Sequence, residues 1–206
     1  MPGHRSLERW RGGQDGIEVA QLRVLLVEAE PQEQCRLTPP SWDHVAMLSD
    51  LLTRLDSVEA RLAAASSADP PPGLTEPDPD GVERWEAGQV WAHMAEFVPY
   101  WTAQAEYVIG QAATIPVPFG RVKTDPDRMT AIERDRHTDP VALLQRVRTS
   151  LAEVSDAARA LPPEAWTRRG AHPTRGEMSV QRIIERFIVE HLEEHADQLD
   201  ALVQTA

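Results

Sequence analysis

Four stretches of this chain place apolar side chains at steps of three and four residues, and proline- and glycine-rich breaks separate one stretch from the next. That spacing is the period of an α-helix, so each stretch carries one apolar stripe that must be hidden from water. Stripes of this kind are buried by packing helix on helix, which restricts the chain to an all-α bundle. The first stretch follows Pro39-Pro40 with Ser41 as its N-cap and runs through Val45, Leu48, Leu52, Leu55, Val58 and Leu62. The second is predicted from about Glu86 to Ile109, with Val90, Met94, Phe97, Trp101, Ala105 and Val108 inward; Pro99 predicts a kink and Gly110 a stop. The third opens on Thr138-Asp139-Pro140 and carries Leu144, Val147, Leu151, Val154, Ala158 and Leu161 to Pro162-Pro163. The fourth runs from near Ser179 to about Val203 through Val180, Ile184, Ile188, His191, His195, Leu199 and Leu202.

The connections set the topology. Asp69 to Gly73 and Pro77 to Gly81 read as a linker with nothing to bury, and a second long connection spans residues 115–137. Long connections after the first and second helices predict an up-down-down-up four-helix bundle over residues 41–206. Residues 1–40 read as an N-terminal extension, in which residues 17–27 suit a strand or a short helix equally.

Charge and cysteine content narrow the function. Lys+Arg number 21 against 33 Asp+Glu, a formal net charge of -12, which argues against binding nucleic acid or an anionic membrane surface. Cys35 is the only cysteine, so neither an internal disulfide nor a thiolate zinc site is available, and a reducing compartment is expected. No apolar run approaches a membrane span, so the expected location is cytoplasmic.

His191 and His195 occupy positions where the fourth stripe asks for apolar side chains, four residues apart and so one turn apart on one face. A polar ring in a core costs free energy unless something satisfies it, and two imidazoles at this spacing can share one metal ion. His93 repeats the anomaly on the second stretch, three residues after Val90 and four before Phe97. It lies roughly 10 Å along its helix, and His195 and His191 lie about 12 and 18 Å from the end of theirs at 1.5 Å per residue. If those helices are antiparallel, the three rings meet. Two other metal motifs fail. Leu192 stands where a zincin needs glutamate, and Val90, Ile188 and Leu192 stand where a di-iron bundle needs it.

Ala87-Gly88-Gln89-Val90-Trp91-Ala92-His93-Met94-Ala95 resembles the second helix of the DinB/YfiT-like superfamily of metalloenzymes. The run Leu161-Pro162-Pro163-Glu164-Ala165-Trp166, then Gly170-Ala171-His172-Pro173, then Gly176-Glu177-Met178-Ser179-Val180 resembles the same family. So does the ending His191-Leu192-Glu193-Glu194-His195-Ala196-Asp197-Gln198-Leu199, and together the likeness covers roughly residues 45–203. It implies the up-down-down-up bundle and one divalent metal ion, zinc or nickel first, held by His93, His191 and His195. It also implies chemistry on low-molecular-weight thiols, such as mycothiol or bacillithiol, as in mycothiol-dependent maleylpyruvate isomerase, and a homodimer.

The leading expectation is a thiol S-transferase that activates a thiolate, of mycothiol type, for attack on a small-molecule electrophile. The alternatives are a metal-dependent hydrolase and a non-catalytic metal-binding module for stress response or interaction. Glu96 is expected as a general base or as a partner holding an imidazole, and Tyr100 and Gln198 as walls of the substrate pocket. His172 reads as a turn residue beside Pro173, and Arg168, Arg169 and Arg175 as a cluster able to receive an anion. His4, His44 and His137 carry no assigned role.

Overall fold

The computed structural model describes residues 42–67, 70–77, 83–111 and 115–204; the readings made for residues 1–40 and for the Ser41 cap lie outside them. The helices are α1 (Trp42–Ser66), α2 (Ala87–Gly110), α3 (Pro126–Asp135), α4 (Pro140–Ala160) and α5 (Pro163–Trp166). A last composite helix follows: α6 (Val180–Ile184) passes through a π-helical turn, Glu185–Val189, into α7 (Glu190–Gln204). Their starts are capped as the sequence implies. Asp139 accepts from the Val141 N–H at 2.9 Å, Ser179 from Arg182 N–H at 3.2 Å, and Glu86 with Gln89 forms a reciprocal capping box. Helix α2 runs on through Pro99, whose ring sits on the exposed face.

Side-chain pairings give the helix directions. Arg54 of α1 bonds Glu193 of α7 at 2.6 Å, and farther along Arg61 bonds Asp197 and Asp200 at 2.7 and 2.5 Å. Both helices therefore advance the same way. Gly88 at the start of α2 lies against Arg136, just before α4, and Glu106 near its end feels the charge of Glu153 near the end of α4. Those two are parallel as well. His93 meets His191 and His195, whereas Trp101 stacks on Phe187 at 4.0 Å, so α2 and α7 are antiparallel. The bundle is up-down-down-up. Its centre is built from Leu55, Val58 and Leu62 of α1, Val90, Met94 and Phe97 of α2, Leu144 and Val147 of α4, and Ile183, Ile188 and Leu192 of the last helix.

Two connections hold more structure than their composition predicts. The segment before α4 contains α3 and β1 (Val117–Pro118), and β1 pairs in parallel with β2 (Arg169–His172), which pairs antiparallel with β3 (Gly176–Ser179). The proline-rich linker also buries something. Thr75 donates its N–H to the Trp85 carbonyl at 2.8 Å and accepts the Trp85 N–H on its hydroxyl at 2.9 Å, which seats the indole against the bundle.

At the base of α2 a side chain on Gly88 would place its Cβ 2.1 Å from the carbonyl oxygen of Arg136, a backbone atom that cannot move aside alone. Alanine gains about 1 kcal/mol in helix propensity, but the overlap forces apart two elements of the core. Gly88→Ala is expected to lose about 1–2 kcal/mol net, read as a lower urea midpoint at unchanged slope. A midpoint equal to wild type would mean that the α2 start and the α4 approach are not packed this closely.

Candidate metal centre

His93 from α2 and His191 and His195 from α7 come together inside the bundle. Their ring centroids are 5.2 Å (His93–His191), 5.0 Å (His93–His195) and 4.6 Å (His191–His195) apart. One nitrogen from each ring lies within 4.8 Å of the others, the spread one small cation can bridge. His93 and His195 are buried and His191 is half-buried. Phe97 stacks on His191 at 4.4 Å and also touches His93, while Trp85 meets His93 edge-on at 5.0 Å and lies parallel to His195 at 6.0 Å. Apolar rings thus fix the planes of the three imidazoles.

Polar oxygens lie on the Nδ1 side of two of the rings. The Nδ1 of His195 lies 2.8 Å from Oε1 of Gln198, and Nδ1 of His93 lies 3.6 Å from Oε2 of Glu96. An imidazole that gives its Nδ1–H to an oxygen keeps its lone pair on Nε2, the usual arrangement for a ligating histidine. The His93 Nδ1 and Glu96 Oε2 are both buried without a completed hydrogen bond, an orphan pair just beyond bonding distance. Burial, reinforced by the neighbouring His195 and by Arg128, holds His93 and His191 well below the ordinary imidazole pKa, so both are neutral near pH 7. Neutral imidazoles without a carboxylate in the group suit zinc, nickel, cobalt or iron better than magnesium or calcium.

Glu96 does not face the cavity as a free carboxylate. Arg121 bonds its Oε1, spans to Asp125 at 3.7 Å, and places its guanidinium carbon over the Tyr100 ring, 3.7 Å from its centre. Arg121 thereby takes the place in the cavity wall read for Tyr100, whose hydroxyl burial pushes up to about 12. Gln198 does line the cavity. That cavity, about 420 Å³, has the three histidines on one wall and Trp101, Phe187, His172, Arg121, Arg175 and Arg186 among its other walls. His172 is the residue the sequence reading missed. It does hold the turn beside Pro173, its Nδ1 accepting from the N–H groups of Thr174 and Arg175 at 3.3 Å, but it is also buried, because β2 carries it against Trp101 and Phe187. Its signal was the run Gly170-Ala171-His172-Pro173, which sequence alone places in a loop.

The neutral, buried state of His93 and His191 has a cost in acid. Their folded pKa values lie below the unfolded value of 6.5, so only the unfolded chain takes up protons as pH falls through 6.5. Stability of the metal-free protein is complete above that pH and declines below it. Urea midpoints at about pH 7.5 and about pH 5.5 should show the drop; equal midpoints would mean that the rings are already solvated.

A family model described as the DinB superfamily matches residues 25–199, starting inside the segment read as an extension. No curated protein matches the chain significantly. Among solved structures, the bundle resembles YfiT from Bacillus subtilis, described as "a probable metal-dependent hydrolase with an unusual four-helix bundle topology". That match has 17% identity, a TM-score of 0.61, and coverage of 77% of this chain and 86% of that one. It also resembles the mycothiol-dependent maleylpyruvate isomerase, at 16% identity and a TM-score of 0.55, and a mutant of it, at 15% and 0.56. Each of those two matches covers 74% of this chain and only 60% of the other. Identities this low speak to fold alone. The family-model match spans most of the sequence, and the chain belongs to the DinB superfamily.

Proposed function

We propose that this chain is a metal-dependent enzyme in which His93, His191 and His195 hold one divalent ion and a low-molecular-weight thiol is activated to attack a small electrophile. One observation carries the reading: three imidazoles converge on the wall of an open cavity of about 420 Å³, not inside a closed shell. Three nitrogen ligands leave coordination positions for a reactant, which separates a catalytic site from a structural one. When bound, a divalent ion there supplies Lewis acidity that lowers the pKa of a thiol or water ligand.

The chain's own residues do the rest. Gln198 holds the His195 ring and its proton, and Glu96, itself held by Arg121, faces the Nδ1 side of His93. Glu96 is therefore a positioning residue for His93 rather than a general base. Trp85 and Phe97 cover the histidines on their apolar sides and keep water out of that space. In the transfer, the thiol loses its proton to solvent, a sulfur–carbon bond forms, and the leaving group departs from the electrophile.

The thiol reading draws on the mycothiol dependence of one structural neighbour, and zinc or nickel on the donor set. A hydrolytic reading, in which water takes the place of the thiol, draws on the description of YfiT. The test is to incubate the metal-loaded chain with mycothiol and monobromobimane, against the same chain stripped of metal. Faster thioether formation with metal is the expected result. No difference between the two samples overturns the transferase, and ester cleavage by the loaded chain in the absence of thiol selects the hydrolase.

A further inference from the structure

Among the described residues Arg128 of α3 is the one arginine that is buried, at 7% exposure. Its Nη1 donates to the Lys123 carbonyl at 2.9 Å, which anchors the guanidinium. The guanidinium carbon stands over Trp85, 5.2 Å from the ring centre. Trp85 in turn lies 5.0 Å from His93 and 6.0 Å from His195, between ring centres. Arg128 lines the main cavity with all three histidines, and a side chamber of about 50 Å³ with His191 and His195. A buried cation is therefore held one aromatic ring away from the place where a divalent cation would be bound.

Like charges this close repel, because a protein interior screens them less than water does. Arg128 is the charge common to both sides of the site: it is felt at His93 and at His191. Other cations line the same cavity, but carboxylates offset several of them. Arg121 is paired with Glu96, Lys123 with Glu83 at 3.8 Å, and Arg186 with Glu194 at 2.6 Å. The three imidazoles bring no negative charge of their own, so an ion among them keeps its full charge. This setting is unfavourable for a bare dication and favourable for an ion that carries an anion, since the anion meets the same guanidinium with the opposite sign.

We infer that Arg128 ties metal loading to anion loading. It weakens the hold of His93, His191 and His195 on a bare divalent ion and strengthens the hold on an anionic reactant bound with that ion. The site thereby selects a thiolate over a neutral ligand. Arg128 is a positioning residue in this role, acting by its charge across Trp85. The inference rests on the three-histidine metal reading and adds the charge form of the reactant that the metal site accepts.

The experiment titrates cobalt(II) into the full chain at low ionic strength, with free metal set by a chelating buffer and visible absorption as the readout. Cobalt is added alone, with azide as a monoanion, and with imidazole as a neutral ligand. Arg128→Met keeps the apolar stem and removes the charge. It should bind cobalt alone about tenfold more tightly than wild type, while the gain from azide falls about threefold; the ion carries two charges and azide one. The gain from imidazole should not change. Arg128→Lys should return both values toward wild type. A merely structural arginine gives another pattern, with cobalt affinity lowered in Arg128→Met whether or not azide is present. Weaker cobalt binding in Arg128→Met, or an azide gain equal to that of wild type, overturns the inference. Arg128→Gln, which keeps a donor for the Lys123 carbonyl, decides by the same signs if methionine unfolds the chain. Wild type that takes up no cobalt ends the three-histidine reading and this inference with it; one cobalt per chain with a silent Arg128 ends the inference alone.

Discussion

His191→Ala is expected to lower affinity for zinc or nickel more than about 100-fold, since loss of a mere outer partner of a ligand costs 10–100-fold. Far-UV circular dichroism should stay at the wild-type level. The two outcomes separate because of where this ring sits. His191 is half-buried at the cavity edge, stacked on Phe97 at 4.4 Å, and the helix around it is held by Ile188, Leu192 and Leu199, which are buried. Alanine keeps that helix and removes one of three nitrogens that lie within 4.8 Å of each other. Glu96→Gln is the companion. It leaves all three nitrogens but removes the carboxylate charge 3.6 Å from His93, so its loss should stay within 10–100-fold. Elemental analysis of untagged protein reads both. Metal content unchanged in His191→Ala would end the ligand assignment, and a Glu96→Gln loss as large as that of His191→Ala would move Glu96 into the ligand set.

The bundle was legible because burial writes itself into sequence with a period. Val90, Phe97, Leu144, Leu151, Ile188 and Leu199 sit in the interior where their spacing puts them, and the histidines announced themselves by breaking that pattern at His191 and His195. The long connections made α2 and α7 antiparallel, and the depth of His93 then agreed with that of the pair. What could not be read has physical reasons of its own. A π turn over Glu185–Val189 adds less than one residue of phase and leaves the apolar stripe intact to the eye, yet it sets how Phe187 and His191 face α2. Strands of two and four residues are too short to show alternation, so β1, β2 and β3 were invisible, and with them the burial of His172. Glu96 and Tyr100 were placed near the site by helical spacing, but spacing says nothing about Arg121, 25 residues from Glu96, which pairs with one and covers the other. Pairings across the bundle come from tertiary geometry alone.

Phe97→Ala should produce the largest loss of stability, about 3–5 kcal/mol, or a fall in melting temperature of roughly 10 °C for a chain of this size. Phe97 is fully buried and is the ring on which the site is assembled: it stacks on His191 at 4.4 Å, and lies 5.0 Å from His93 and 5.8 Å from His195. Its removal leaves a void that backbone on α2 and α7 cannot close without moving the three histidines. Added metal distinguishes this from damage to the ligand set. Wild type gains stability in proportion to the logarithm of metal concentration over the dissociation constant. His191→Ala should start near the wild-type melting temperature and show almost no such gain. Phe97→Ala should start far below it and still respond to metal, with a reduced gain because its three nitrogens persist but are less well held. Phe97→Leu, which refills most of the space, should recover most of the loss. A Phe97→Ala chain that melts like wild type would mean that the histidines are held by something other than the apolar ring between them, and the packing account of this site would fail with it.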